Sequence, residues 1–315
     1  MNAPSETGFV DLPTAARILA GGGICAFATE TVYGLGADAT NPDAVLRIYE
    51  TKGRPRFNPL IVHCAGREMA ESLVRFDADA ERLAEAFWPG PLTLVLPLRP
   101  ESSIADIVTA GLDTLAVRVP AHETARALVA AAGRPIAAPS ANPSGKLSPT
   151  RAGEVIADFG GRVPVLDGGD CRAGLESTII ACRAGEVVQL RAGAIAHDDV
   201  EAALGRKISR AVVGDAIAAP GMMVRHYAPD TVLRFDVAAP QAGEAFLAFG
   251  NVPEVSGPMR NLSPSGNLAE AARNLFAMLH ELDAAGAASI AVAPIPETGL
   301  GEAINDRLRR AATRE

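Results

Sequence analysis

Residues 12–28 read LPTAARILAGGGICAFA and predict a helix followed by a buried strand. Apolar side chains recur at helical spacing over residues 12–20, three glycines at 21–23 end the helix, and residues 24–28 form a short apolar segment. Helix-like and strand-like segments continue to alternate through the first half of the chain. We therefore expect a mixed α/β fold in which a sheet is flanked by helices.

The remaining predicted elements divide the chain into two parts. Helices are expected at about residues 42–51, 67–75, 79–87, 123–132 and 195–204, and strands at about residues 59–63, 92–98, 115–119, 136–138, 163–166, 177–181 and 187–190. Residues 205–230 lose this periodicity and are typical of a linker. A second pattern follows, with strands at 231–237 and 289–293 and helices at 267–285 and 301–312. The predicted domains are 1–205 and 231–315, joined by a linker at 206–230.

Composition and charge narrow the class of protein. The chain has 315 residues, of which 48% are hydrophobic and 21% charged, as in a globular rather than a disordered protein. Its net charge of -8 argues against binding nucleic acid by bulk charge. The four cysteines form no C-x-x-C pair, so neither a zinc site nor a disulfide framework is indicated. No membrane span or secretory leader is seen, so we expect no membrane association and a cytoplasmic location.

Two loops in the first half are rich in polar and cationic residues. Residues 29–36, TETVYGLG, could hold a small polar ligand or could simply form a tight turn between a strand and a helix. Residues 52–59, KGRPRFNP, place Lys52, Arg54 and Arg56 at the end of a helix, where cations also complement the helix dipole. Because the chain has only three lysines and glycine and proline fix this loop, we favour polyphosphate binding.

Further candidates lie at the ends of predicted strands. Arg118 interrupts an apolar strand, where its charge needs either a buried salt bridge or a ligand carboxylate. His63 ends a strand and could be a satisfied core histidine or part of a site. The loop SANPSGK at 140–146 lacks the spacing of a Walker loop, and residues 176–178 and Arg191 also flank strands. Because ligands commonly bind at strand ends in α/β sheets, we expect these groups to converge.

Taken in order, these segments form a specific set of motifs. They are TETVYGLG at 29–36, KGRP and NPLIVH within 52–63, WPGPLT at 88–93, TAGLDT at 109–114 with Arg118, APSAN at 138–142, EST at 176–178 and LRAG at 190–193. The set resembles the YrdC-like threonylcarbamoyl-AMP synthase family. APGMMVRHYAP at 219–229 and GLGEAINDR at 299–307 are similar to the linker and extra domain of its longer members. The implied fold is a YrdC-like twisted mixed sheet flanked by helices, with a smaller Rossmann-like C-terminal domain.

The resemblance implies an enzyme that combines L-threonine, bicarbonate and ATP into threonylcarbamoyl-AMP and releases pyrophosphate. The product would supply the N6-threonylcarbamoyladenosine modification of tRNA through downstream tRNA threonylcarbamoyl-transferase proteins. Mg²⁺ would be held mainly by the ATP phosphates, with no metal site made of protein ligands.

Site residues follow from the same resemblance. Lys52 and Arg54 would be catalytic. The residues expected around L-threonine are Thr29, His63, Arg118, Ala138 and Ser177. Those expected around ATP are Lys52, Arg54, Asn58, Thr114, Ser140, Asn142, Ser148, Arg191 and Tyr227. Tyr227 would reach over ATP from the linker, which would close over the active site.

Two alternatives belong to other functional classes. A non-catalytic, RNA-binding, translation-associated protein could use a basic concave face of a YrdC-like fold, but the charge of -8 and the scarcity of lysine disfavour it. A carbamoyl-transfer enzyme of hydrogenase maturation would share the domain. The sequence shows no cysteine-rich zinc module or acylphosphatase-like segment, which disfavours that alternative.

Overall fold

The computed structural model describes residues 8–212, 226–252 and 255–313, which form two sheets with associated helices. The helices are α1 (Leu12–Ala20), α2 (Pro42–Lys52), α3 (Arg67–Leu73), α4 (Ala78–Phe87), α5 (Asp106–Thr109), α6 (Glu123–Ala132), α7 (Ala152–Phe159), α8 (His197–Leu204), α9 (Leu268–Asp283) and α10 (Leu300–Ala312). The strands are β1 (Cys25–Phe27), β2 (Gly34–Asp38), β3 (Ile61–His63), β4 (Leu92–Pro97), β5 (Thr114–Arg118), β6 (Ile136–Ala137), β7 (Val165–Leu166), β8 (Thr178–Arg183), β9 (Glu186–Arg191), β10 (Ser209–Arg210), β11 (Val232–Arg234), β12 (Ala245–Ala248), β13 (Met259–Asn261) and β14 (Ser289–Val292).

The two sheets confirm the predicted fold class. Ten strands form a mixed sheet in the order β10-β9-β8-β4-β5-β3-β6-β2-β1-β7, with both parallel and antiparallel neighbours. Four strands form a smaller sheet in the order β11-β14-β12-β13, and all of its pairs are parallel. The chain is therefore a mixed α/β protein with a second, parallel α/β sheet near its C-terminus.

The large sheet is covered unequally on its two faces. Val62 of β3 belongs to the largest apolar core, whereas its neighbours Ile61 and His63 point to the opposite face, because side chains alternate along a strand. Helices α1 and α6 cover one end of that opposite face with a second apolar core. The rest of the face carries only a small apolar cluster around Ile61 and Val95. This partly open face is where the polar loops converge.

Local sequence signals position the basic loop. Helix α2 begins as predicted: the side chain of Asn41 accepts hydrogen bonds from the backbone N–H groups of Asp43 and Ala44. The helix ends at Lys52, and Gly53 follows in the left-handed conformation with φ of 62°. Glycine adopts the left-handed conformation without steric cost, so Gly53 can turn the chain sharply directly after Lys52, which stays on the last helical turn.

Several elements differ from the predictions. The segment at 29–36 was expected to be a loop before a helix, but Gly34 and Gly36 lie in β2, which pairs with β1. A Cβ atom on Gly36 would lie 2.8 Å from the ring of Phe27, so glycine allows the strand to pass that ring. Helices α5 and α7 and strands β12 and β13 were not predicted, and the strand expected at 231–237 covers only Val232–Arg234. Their short or weakly periodic sequences explain these errors.

The part of the chain that carries the large sheet packs directly against the C-terminal helices. Within the predicted linker, Ser209–Arg210 add an edge strand to the large sheet, and residues 213–225 lie outside the described residues. Leu175 of the first region shares an apolar core with Phe276 of α9. A Cβ atom on Gly174 would lie 2.4 Å from the backbone of Arg273, so these two backbones are in direct contact. Within the described ranges, none of the helices is long and apolar enough to cross a membrane.

Candidate active site

A polar cleft lies on the partly open face of the large sheet. It encloses about 530 Å³, part of it open to solvent. Its walls come from the loop after β1, the ends of β3 and β5, the segment after β6, the start of β8 and the end of β9. The lining residues are Thr29, Thr31, Val32, Gly34, Arg54, Ile61, His63, Arg118, Ala138, Pro139, Ser140, Glu176, Ser177, Arg191, His226 and Tyr227.

The Thr29 hydroxyl organises the first loop of the cleft. It donates to the carbonyl of Val32 at 2.7 Å and accepts from the backbone N–H groups of Thr31 and Val32 at 3.1 and 3.2 Å. Its oxygen is also 2.8 Å from the Thr31 hydroxyl. A short hydroxyl side chain that bonds to its own loop favours a turn over a helix. The loop is therefore fixed, with both threonines buried in the wall of the cleft.

Arg118 and Glu30 form an ion pair inside the cleft. Arg118 Nη2 is 2.6 Å from Glu30 Oε1, and Nη1 donates to the Thr31 hydroxyl at 2.9 Å. Arg118 Nε donates to the carbonyl of Gly90 at 3.2 Å. Burial alone would raise the pKa of Glu30, but Arg118 outweighs this effect and holds that pKa below its usual value. The salt-bridge alternative for Arg118 is thus observed, and the residue still lines the cleft.

His63 is buried beside this pair. Burial, followed by the positive charge of Arg118, lowers the pKa of His63 to about 3, so its imidazole is neutral at neutral pH. Its ring packs edge-on against Phe27, with 5.8 Å between the ring centroids. Its Nδ1 has no hydrogen-bond partner within the described part of the chain. His63 also lines the cleft, so this wall carries an uncharged imidazole beside Arg118.

The cations of the basic loop are buried rather than solvated. Lys52 Nζ donates to the carbonyls of Ser140 and Asn142, while Arg54 Nη2 donates to the carbonyl of Pro59 at 2.9 Å. Burial, with the nearby charge of Arg54, lowers the pKa of Lys52 well below its ordinary value, and burial lowers the pKa of Arg54 to about 10. Among the described residues, neither has a carboxylate within ion-pair distance. The positive field at this end of the cleft favours an anionic ligand.

The opposite wall is held by Arg191. Its Nη2 donates to the carbonyl of Ser177 at 2.9 Å and lies 3.1 Å from the Ser177 hydroxyl, which is also 2.7 Å from the Thr93 hydroxyl. Gly193 permits the close approach of this wall, since a Cβ there would lie 2.4 Å from the carbonyl oxygen of Glu176. This wall therefore includes a direct contact between the backbones at Gly193 and Glu176, in addition to the side-chain hydrogen bonds.

His226 and Tyr227 also line the cleft, and this aromatic pair is called the cover below. Their ring centroids are 4.0 Å apart, and the backbone N–H of Ala228 donates to the carbonyl of Gly145 at 2.8 Å. Tyr227 has φ of 64°, a left-handed conformation that is costly for a residue with a side chain. Burial, followed by Arg54 and Lys52, lowers the pKa of His226 well below its usual value. The cover is thus a constrained aromatic pair.

Comparison with known proteins identifies the family. Residues 17–193 match the Sua5, YciO and YrdC family model, described as telomere recombination, and residues 195–313 match a model described as the C-terminal domain of threonylcarbamoyl-AMP synthase. The chain belongs to the threonylcarbamoyl-AMP synthase family. It has the long, Sua5-type form, in which a YrdC-like region is followed by the additional C-terminal domain.

Individual relatives of this Sua5-type chain are similar over nearly their whole length. The threonylcarbamoyl-AMP synthase of Pyrococcus abyssi is 43% identical, with 94% of this chain and 93% of the relative covered. That of Bacillus subtilis is 39% identical, with 95% and 92% covered. The crystal structure of P. abyssi Sua5 complexed with L-threonine has a TM-score of 0.88 and 40% identity, covering 96% of this chain and 94% of that one.

Most of the residues predicted for this Sua5-type site are brought together. Those that line the cleft are Thr29, Arg54, His63, Arg118, Ala138, Ser140, Ser177, Arg191 and Tyr227. Lys52 and Asn142 lie behind Ser140, where the Asn142 amide donates to the carbonyl of Lys146 at 3.0 Å. The Ser148 hydroxyl donates a hydrogen bond of 2.5 Å to Oε1 of Glu176, which lines the cleft.

Like Lys52, Asn142 and Ser148, the predicted residues Asn58 and Thr114 are not part of the cleft lining. The carbonyl of Asn58 accepts from Arg54 Nε at 3.3 Å, so this buried residue supports the basic loop. Thr114 begins β5, four residues before Arg118 and on the same face of the sheet. Contact of Asn58 and Thr114 with ATP therefore remains a prediction.

Four polar residues of the site received no individual role from the sequence: Glu30, Thr31, Glu176 and His226. Each lies next to a predicted residue or inside one of the quoted motifs, so its position in the sequence could have suggested a place in the site. The arginine partners of Glu30 and Glu176 come from distant segments, which the sequence motifs alone do not reveal.

Proposed function

We propose that this protein is an L-threonylcarbamoyladenylate synthase, which converts L-threonine, bicarbonate and ATP into threonylcarbamoyl-AMP and pyrophosphate. The observation that carries the proposal is a single cleft lined by Arg54 of the basic loop and by Arg118 with the neutral His63, with Lys52 behind Ser140. In the proposal, the basic loop forms one end of the substrate site and Arg118 forms the other. Membership of the threonylcarbamoyl-AMP synthase family supports the proposal.

The Arg118 end is proposed to bind L-threonine. A guanidinium can receive a carboxylate through paired, charge-assisted hydrogen bonds. Arg118 already presents donors to Glu30 and Thr31, so a substrate carboxylate would share or replace those contacts. Thr29, His63, Ala138 and Ser177 complete the proposed pocket. The P. abyssi relative was solved in complex with L-threonine, which supports L-threonine as the amino-acid ligand.

The basic-loop end is proposed to bind ATP. Lys52 and Arg54 would attract the phosphates, and Ser140, Asn142, Ser148 and Arg191 would add further polar contacts to the nucleotide. Asn58 and Thr114 would extend the contact along the sheet, and Tyr227 would cover the nucleotide. In the same proposal residues 1–205 form the catalytic domain, 206–230 the closing linker and 231–315 the C-terminal domain.

The chemistry requires positioning more than a strong protein base. Condensation of the threonine amine with bicarbonate releases water and gives a carbamate, whose oxygen is already anionic. That oxygen would attack the α-phosphorus of ATP, and the electron pair of the broken bond would leave with pyrophosphate. Lys52 and Arg54 would orient the phosphates and neutralise the charge that develops there. His63, neutral at this site, would contribute hydrogen bonding without adding positive charge.

Mg²⁺ is proposed to enter with ATP. Glu30 and Glu176, the carboxylates of the cleft lining, are each paired with an arginine, so the donor set fits a cation carried mainly by phosphate oxygens. When bound, the cation would neutralise phosphate charge. The proposed product would pass to tRNA threonylcarbamoyl-transferase proteins, and the proposed location is the cytoplasm.

The test is pyrophosphate release by purified protein incubated with ATP, Mg²⁺, bicarbonate and L-threonine. We expect release that depends on all four components, and omission of Mg²⁺ with EDTA present should abolish it. L-Serine and L-valine separate the contributions of the threonine methyl and hydroxyl groups. Absence of threonine-dependent release, together with salt-sensitive tRNA binding, would instead support the non-catalytic RNA-binding alternative.

A further inference from the structure

One arginine of the C-terminal domain is buried against the cleft. Arg307 lies on α10 and its side chain is 0% exposed. Its Nε is 2.9 Å from Glu176 Oε2, and its Nη1 is 2.8 Å from Asp306 Oδ2. Glu176 lines the cleft and precedes Ser177, 131 residues away from Arg307 in the chain. The second domain therefore supplies the counter-charge for a carboxylate in the wall of the proposed active site.

The same guanidinium contacts the cover. Arg307 Cζ lies 5.0 Å from the centroid of the Tyr227 ring, within the range of a cation–π interaction. The Phe276 ring of α9 lies 5.8 Å from the Tyr227 ring. Because Tyr227 is held in a left-handed backbone conformation, it needs such contacts to keep one position. Arg307 is thus shared between the wall and the cover.

The charge of Glu176 matters for an anionic ligand in the cleft. Burial alone would raise the pKa of Glu176, but Arg307 and Arg191 outweigh it and hold that pKa below its usual value. Glu176 is therefore a carboxylate, and its Oε1 accepts from the Ser148 hydroxyl at 2.5 Å. Without Arg307, the negative charge of Glu176 would be poorly compensated and would repel the phosphates of a nucleotide bound in the cleft.

We infer that Arg307 is a positioning residue for the nucleotide: it neutralises Glu176 and holds Tyr227, and so makes the C-terminal domain part of the ATP site. The inference rests on the proposed function. It assigns to the second domain a direct task in substrate binding, in addition to any contribution to folding.

The test measures ATP binding by calorimetry, without threonine or bicarbonate, and separately the KM values for both substrates. Arg307→Met removes the charge while keeping much of the side-chain volume. Arg309→Met is the matched control, because Arg309 lies on the same helix but is 54% exposed. We expect Arg307→Met to weaken ATP binding at least about tenfold and to change the threonine KM less than about twofold, and Arg309→Met to leave both unchanged.

The decisive variant is Arg307→Met combined with Glu176→Gln. Removal of the uncompensated carboxylate should recover at least about threefold of the lost ATP affinity, a gain that loss of packing alone would not produce. If Arg307→Met does not fold, Arg307→Lys answers the question. Arg307→Lys keeps the positive charge and should retain most ATP affinity, whereas a loss as large as that expected for Arg307→Met would overturn the inference. Absence of recovery, or equal effects on both substrates, overturns the inference. Failure of the wild-type protein to bind ATP would instead count against the proposed function.

Discussion

Arg118 Nη2 lies 2.6 Å from Glu30 Oε1, so the guanidinium that we propose for the substrate carboxylate is itself paired with a buried carboxylate of the protein. The two alternatives raised by the sequence, a buried salt bridge and a ligand contact, are therefore compatible. Glu30 keeps the buried arginine satisfied, and Thr31 fixes its direction. A substrate carboxylate would meet a preorganised donor, which lowers the cost of ordering the site.

Replacement of Arg118 should affect threonine more than ATP. We expect Arg118→Ala to raise the threonine KM at least about tenfold, because a hydrogen bond to a charged group contributes roughly 1.5–3 kcal/mol. The ATP KM should change less than about threefold. The variant should also lower the melting temperature, because Glu30 is left buried without its partner. Arg183→Ala, at an exposed arginine paired with Asp113, is the control that should change none of these values. Equal losses for both substrates would contradict the assignment.

The low pKa of His63 predicts a pH dependence of stability. The unfolded chain binds a proton at His63 near its ordinary pKa of about 6.5, whereas the folded protein binds it only near pKa 3. Stability should therefore fall as pH decreases below about 6.5, with a limiting slope of about 1.4 kcal/mol per pH unit for one proton. His226, whose pKa is also lowered, contributes in the same direction.

His63→Asn should flatten this dependence. Denaturant unfolding between about pH 6 and about pH 5 is the appropriate measurement, because Glu30 and Glu176 have pKa values below the usual 4.5 and lose their stabilising effect mainly at lower pH. We expect the pH dependence of the unfolding free energy to be smaller in the variant, by the amount due to uptake of about one proton on unfolding. An unchanged slope would mean that His63 is protonated in the folded protein.

The buried ammonium of Lys52 should be essential for turnover. Lys52→Met removes the donor that joins α2 to the carbonyls of Ser140 and Asn142, and it removes a positive charge from the proposed phosphate site. We expect pyrophosphate release to fall at least about 100-fold, as for loss of a preorganised electrostatic group. Lys207→Met, at a side chain that is 89% exposed, should retain wild-type activity. Activity of Lys52→Met within about twofold of wild type would exclude the proposed role.

Gly193 should not tolerate a side chain. A Cβ atom there would lie 2.4 Å from both the Glu176 carbonyl oxygen and the Thr178 nitrogen, so the backbone must shift. We expect Gly193→Ala to destabilise the protein by at least about 1–3 kcal/mol, as for overpacking, and to reduce activity. Gly153→Ala lies in α7 with open space around it and should be neutral or slightly stabilising. Thermal unfolding of the two variants, side by side, gives the comparison.

The Tyr227 hydroxyl should act on the ligand rather than on the fold. Its Oη has no hydrogen-bond partner within the described residues, although the ring is buried. Tyr227→Phe should therefore leave the melting temperature unchanged or raise it, since an unsatisfied buried group costs about 1–3 kcal/mol. Tyr227→Ala should reduce turnover and weaken ATP binding by removing the cover. Unchanged kinetics in Tyr227→Ala would show that the ring does not close the site.

The sequence by itself determined the elements whose signals are local. Apolar periodicity and a glycine stop predicted α1 with the observed bounds, and Asn41 with Pro42 predicted the start of α2. The motifs indicated the family and most residues of the cleft. Such features depend on backbone preferences and side-chain spacing within a few residues, which can be read directly from the chain.

Tertiary structure alone decided what those residues contact. Gly34 and Gly36 lie in a strand because β1 pairs with them and the Phe27 ring fills the space that side chains would need. The partners of Glu30 and Glu176 are 88 and 131 residues away, and the second comes from the C-terminal domain. A buried carboxylate requires a counter-charge, but the sequence does not state which arginine will supply it. That choice is made only when the sheets and helices pack.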